Sequence, residues 1–208
     1  CGSTRFRNLR AGVTRVREEL EALAGQPVVE VTGGTDPRNL PDAGVYVGTE
    51  AVLHRIEKAS QVVFLEFDQE LLAPRFRAAE QAMALLVRAA RLLGPRSNGG
   101  RLVIQTRQSD HEVLQAAVHA DPGRLAGPES ERRHLLALPP HTALARVSGS
   151  GAAEFVDRLG RPDGIEVLGP RNGAWLVQAA NHDRLADVLT DVERPRGRLN
   201  LQVDPQRV

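Results

Sequence analysis

The alternation of apolar and polar positions is clearest between residues 62 and 105. An apolar run, Val62-Val63-Phe64-Leu65, predicts a strand. An acidic turn with Glu66, Asp68 and Glu70 follows it. An Ala/Leu-rich stretch over residues 75–93 has helical spacing and stops at Gly94-Pro95, and residues 102–105 predict a second strand. Strand, turn, helix, turn and strand in that order predict a right-handed parallel crossover. Ligands of such units gather at the carboxyl ends of the strands, which here means the acidic turn.

Upstream, residues 5–11 alternate weakly as a strand. Val16, Leu20, Leu23 and Ala24 recur at helical spacing, with Thr14 as the expected cap and Gly25 as the stop. Val28-Val29-Glu30-Val31 predicts a buried strand. Residues 32–44 are rich in Gly, Pro, Asp and Asn and predict turns without a helix. Val45-Tyr46-Val47 predicts a third strand, and Gly48-Thr49 opens a short helix to about Leu53.

Downstream, Asp110 is the expected cap of a helix to Ala117. Residues 120–128 read as a boundary, residues 129–138 as a charged helix, and Pro139-Pro140 as its end. Beyond them the pattern predicts a strand over 142–148, a helix over 152–159, strands over 165–168 and 174–179, a helix over 182–192 and a strand over 198–203. Such a block predicts a small α+β sandwich with helices on one face of a mostly antiparallel sheet.

Composition narrows the classes. The 208 residues are 41% hydrophobic but only 3% aromatic, so the core is aliphatic. A net charge of +1 argues against one large phosphate-binding face and leaves room for a local basic patch. Of the 27 basic residues only Lys58 is lysine. Codon bias in a GC-rich genome explains that, as does selection of arginine for bidentate phosphate contacts. A single cysteine, Cys1, excludes an intrachain disulfide. The absence of a signal peptide and of an apolar run of membrane-spanning length predicts a cytoplasmic protein with no membrane partner. Cys-Gly-Ser in place of a methionine start predicts a chain cut from a longer one.

Several residues are candidates for chemistry. Cys1-Gly2-Ser3 matches the second half of a zinc knuckle, or is an inert terminal cysteine. Val47-Gly48-Thr49-Glu50 ends a strand and starts a helix, where amides receive phosphate in some proteins and merely begin a helix in others. Glu66, Asp68 and Glu70 either hold a metal, orient a water or form a solvated acidic turn. Arg171 and Trp175 combine an arginine with the only tryptophan, which suits stacking on a nucleobase or a half-buried core residue. Arg194, Arg196 and Arg198 are a second basic cluster, either solvated or binding. No Walker-type glycine-lysine sequence occurs, and the six histidines have no ligand spacing.

The order of these landmarks resembles the C-terminal part of the primosomal protein N′ (PriA) family of replication restart helicases. The resemblance rests on Cys1 to Ser3, Val47-Gly48-Thr49, Phe76-Arg77-Ala78-Ala79-Glu80, Gln105-Thr106, Glu131-Arg132-Arg133, Pro139-Pro140, Val167 to Pro170, Trp175 and Val203 to Pro205. It implies an α/β fold: a degenerate RecA-like helicase lobe with a parallel sheet, followed by a small α+β domain. Its divisions are residues 1–11 as the end of a zinc-binding region, 12–120 as the lobe, 121–141 as a linker and charged helix, and 142–208 as a DNA-binding-type domain. Zinc is the implied cofactor, with Cys1 as one ligand. Implied partners are forked or single-stranded DNA, primosome components and single-strand-binding proteins, with the chain a monomer.

The departures from the family pattern carry as much information. Leu92 and Pro95 stand where the family has arginines that touch ATP phosphates, while Arg88 and Arg91 replace a glutamine and a glycine. His54-Arg55 replaces Lys-Gly, and residues 32–44 are too short for the family's Asp-x-Asp-Thr segment. This combination resembles the helicase-motif-deficient members of GC-rich bacteria. No catalytic or nucleotide-binding residue is then expected, and DNA contact falls to Arg171 and Trp175. The alternatives are an active ATP-dependent 3′-5′ helicase and a protein-docking module without DNA binding.

Overall fold

The computed structural model describes residues 12–205. The expected strand over residues 5–11 and Cys1 itself lie outside the described residues. The chain divides into two compact units. One takes the described residues up to Phe67 together with Ala84–Thr106, and the other takes Asp68–Met83 together with the described residues from Arg107 onward.

The first unit is built from parallel pairs. Helix α1 (Val13–Ala24) ends at Gly25, whose φ of 61° lets its amide reach back to the Glu21 carbonyl. Gly12 rather than Thr14 occupies the N-cap, and the Thr14 hydroxyl donates instead to Glu30 at 3.2 Å. Strands β1 (Val28–Val31) and β2 (Val45–Gly48) pair in parallel, with Val28 opposite Val45. The segment between them holds one short 3-10 turn, Pro37–Asn39, capped by the Asp36 carboxylate. Strand β2 leads into the one-turn helix α2 (Val52–Arg55). Strands β3 (Gln61–Phe64) and β4 (Arg101–Ile104) form a second parallel pair, joined through the long helix α4 (Ala78–Leu93). The expected crossover is therefore present, while its parallel pairing comes as two separate two-stranded ladders rather than one sheet. Leu53, Ala89 and Leu92 are the buried centre of this part, against Val62, Phe64 and Leu102.

One turn of helix, α3 (Asp68–Leu71), stands where the sequence predicts only an acidic turn. The second unit continues with α5 (Glu112–Val118), capped by His111 rather than Asp110. Helix α6 (Ala126–Leu135) begins earlier than its charge pattern predicts. Gly127 and Pro128 form its first turn, where proline's missing N–H costs nothing.

From β5 (Ala143–Ser148) the chain runs through α7 (Ala152–Leu159), β6 (Ile165–Arg171), β7 (Ala174–Ala179), α8 (His182–Asp191) and β8 (Asn200–Val203). All pairs are antiparallel and the strand order is β6-β7-β5-β8. This is the split β-α-β arrangement of ferredoxin-like folds. Ala143, Ala145 and Val147 alternate onto the helix side and pack with Phe155, Leu159, Leu185 and Val188. The other face of the sheet carries Leu144, Arg146 and Ser148 of the same strand. Among the described residues no helix is long and apolar enough to cross a membrane.

Candidate functional site

The sequence candidates of the first unit are occupied by structural contacts. Gly48 ends β2 so close to β1 that a Cβ on it would lie 1.8 Å from the Val31 carbonyl oxygen. The Thr49 amide donates to that same oxygen at 3.3 Å, and the Ala51 amide to the Thr49 hydroxyl at 3.4 Å. These are the amides a bound phosphate would need. Arg55 donates to the Thr32 and Gly33 carbonyls at 2.5 and 2.9 Å, which pins the turn after β1. Arg88 donates through Nε to the Leu53 carbonyl at 2.9 Å, satisfying one open carbonyl of α2. Leu92 is buried beside Leu53 and Ala89, and Pro95 is exposed at the start of the Arg96–Asn98 turn.

The acidic turn disperses in the same way. The Asp68 carboxylate accepts the Arg107 amide with both oxygens at 3.1 Å. Glu70 pairs with Arg75 at 3.0 Å. Among the described residues no three His, Cys, Asp or Glu side chains converge as a metal site.

In the second unit, two family landmarks that are far apart in sequence meet. The Arg133 guanidinium pairs with Glu129 at 3.0 Å and with Glu80 at 2.8 Å, and donates to the Pro139 carbonyl at 3.3 Å. It also lies 5.5 Å from the centre of the Phe76 ring, with Arg77 at 5.2 Å. Arg132 holds Glu129 as well, and reaches Glu112 at 2.6 Å. The Glu112 carboxylate raises the already high pKa of Arg132. Arg133 and Glu129 are both buried, and the cluster joins α6 to the Phe76–Glu80 segment, to α5 through Glu112 and to the Pro139 carbonyl. Sequence order hides this contact, because no local spacing links Glu80 to Arg133.

The hairpin between β6 and β7 turns on Asn172 and Gly173, both with positive φ of 50° and 71°. That is the pattern of a two-residue type I′ turn. Arg171 faces Ala174 across it, so the two share one face of the sheet. Trp175, the next residue, faces Val147 and packs on the core under the helices. Register therefore sets Arg171 and Trp175 on opposite faces, and the strand does not bring them together as one stacking surface. The tryptophan's parity with Val177 and Ala179 was the available sequence signal.

A row across the open face runs Arg171, Ala174, Ser148, Asn200, and the next runs Leu168, Leu176, Arg146, Gln202. Beside the first row lies the Arg194-Pro195-Arg196-Gly197-Arg198 loop. It is fixed to the loop after β5 by the Gly151 amide on the Arg198 carbonyl and the Arg198 amide on the Ser150 hydroxyl, both at 3.0 Å.

A unit of parallel strand pairs and a unit with a ferredoxin-like antiparallel sheet together define an α/β protein. Comparison with known proteins gives the relatives. The chain is 31% identical over 178 residues to the probable replication restart protein PriA of Mycobacterium leprae, covering 82% of this chain and 27% of that protein. It is 32% identical over 114 residues to the replication restart protein PriA of Treponema pallidum, covering 50% of this chain and 17% of that protein. With the replication restart protein PriA of Haemophilus influenzae it shares 24% identity over 208 residues, covering 88% of this chain and 28% of that protein. No family model matches the chain. The chain is thus a relative of the C-terminal part of PriA replication restart proteins, and it spans about a quarter of the length of those it matches over most of its own length.

Proposed function

We propose that this chain is the C-terminal portion of a replication restart protein that recognises abandoned or stalled forks and supports primosome assembly without acting as a helicase. The observation that carries the restart role is the similarity to PriA across 82% of the chain. In this reading the parallel pairs of the first unit are a RecA-like lobe kept as scaffold. Its support is the set of residues at the family's nucleotide positions. Leu92 is core, Pro95 opens a turn, Arg88 holds a helix carbonyl, and Arg55 holds a turn. Removing the arginines that stabilise a transferring phosphoryl group costs about 10³–10⁵ in rate.

Cys1 is one zinc ligand of a site completed by residues outside this chain, which metal analysis of the longer protein checks. DNA is the principal partner, with primosome and single-strand-binding proteins assembling on the bound fork. Mobility-shift titrations on forked, duplex and single-stranded DNA at several salt concentrations test the reading, since phosphate contacts are salt-dependent. Tighter binding to forks supports it. Equal affinity for all three at every salt concentration rejects fork recognition.

A further inference from the structure

From the placement of five arginines around one end of the ferredoxin-like sheet, we infer that this corner binds the phosphate backbone of a nucleic acid. The inference rests on the DNA-binding reading above and assigns it to residues. Arg146 and Arg171 project from the open face in adjacent rows. Arg194, Arg196 and Arg198 are exposed on the loop that abuts the first of these rows. Among the described residues no ion pair joins any of the five to a carboxylate. Other arginines of this unit, such as Arg132, Arg133 and Arg158, are each tied to glutamates.

The loop is held in place before any ligand arrives. A Cβ on Gly149 would lie 2.2 Å from the Arg198 carbonyl oxygen, and one on Gly197 would lie 2.8 Å from the Gly151 amide nitrogen. Backbone contact this close requires glycine on both loops. Together with the Gly151 and Ser150 hydrogen bonds it fixes the loop's course, so less backbone entropy is lost on binding. Alternate residues of the loop carry the cations, and the intervening Pro195 is buried.

The ligand chemistry follows from the surface. Guanidinium groups held by no carboxylate among the described residues, on an ordered backbone, suit phosphodiester oxygens, which they grip bidentately; Arg146 makes one hydrogen bond, to the Ser148 hydroxyl at 3.4 Å. Among the described residues the same face carries Leu168 and Leu176 but no aromatic ring, because Trp175 turns to the other side. Base stacking on aromatic platforms is therefore absent from this face, and the corner tracks the backbone without reading bases.

The test uses the whole 208-residue chain. Fluorescence anisotropy follows labelled oligonucleotides, single-stranded, duplex and forked, across a salt series. The triple variant Arg194→Gln, Arg196→Gln, Arg198→Gln and the single variant Arg171→Gln are compared with a charge-matched control, Arg15→Gln, Arg38→Gln, Arg124→Gln. The triple variant weakens binding about tenfold or more near 0.1 M salt and lowers the salt slope by about two on single strands. Arg171→Gln weakens it severalfold from a different chain segment, which keeps the test decisive if the loop variant misfolds. The control changes little.

Equal losses in the control, unchanged affinity in both Arg variants, or binding of an acidic peptide with none of the oligonucleotides overturns the assignment. Fork preference kept by a folded triple variant rejects this corner and leaves the fork reading standing. Arginine-dependent binding with no fork preference does the reverse.

Discussion

Replacing Arg133 with methionine probes the join between α6 and the Phe76–Glu80 segment. The side chains of Arg133 and Glu129 are 8% and 7% exposed. Removing one partner of a buried pair costs about 3–5 kcal/mol, because the other charge is left uncompensated. Here Glu129 keeps Arg132, which places that cost near its lower end. The pair with Glu80 adds under about 1 kcal/mol, since Glu80 is 45% exposed and largely solvated. The Phe76 contact adds about 0.5–1 kcal/mol. The net expectation is a loss of about 3.5–5 kcal/mol, measured by denaturant unfolding with far-UV circular dichroism and Trp175 fluorescence. The double variant Arg133→Met, Glu129→Leu is predicted to lose less than the sum of the singles by about 2 kcal/mol, because it strands no buried carboxylate. A single-variant loss below about 1 kcal/mol, or additive losses, would refute the claim that this landmark is a buried structural join.

Other expectations follow from contacts in each unit. Gly48→Ala should cost about 2–4 kcal/mol by forcing the ends of β1 and β2 apart and breaking the Thr49 hydrogen bond, read as a lower unfolding midpoint. Leu92→Arg restores an arginine near the family position but buries a charge beside Leu53 and Ala89, so it should destabilise by about 3 kcal/mol or more and restore no ATP hydrolysis. Saturating single-stranded DNA should leave the fluorescence of Trp175 nearly unchanged, because the ring packs on the helix side of the sheet, whereas strong quenching would mean that a base stacks on it.

Much of the fold was legible because it is written in local periodicity. Ala143, Ala145 and Val147 alternate as a half-covered strand should, and Asn172-Gly173 marks the hairpin between β6 and β7 directly. Short elements were harder to see. The single turn of α3 hides inside an acidic segment, and α6 absorbs the Gly127-Pro128 pair that reads as a boundary. The site was less legible because its parts are joined by register and not by sequence. Arg171 and Trp175 are near neighbours along the chain and yet face opposite ways. Arg146 and Arg171 lie far apart in sequence and occupy adjacent rows of one face. The Arg133–Glu80 pair has no local signal at all, since both residues read as ordinary charged positions on exposed helices.

The proposed function is fork binding without nucleotide turnover. Phosphate release measured on the full-length protein, with ATP and saturating forked DNA, tests it most directly. Hydrolysis is expected to stay at background level while the fork remains bound. DNA-stimulated turnover at ordinary helicase rates would contradict it.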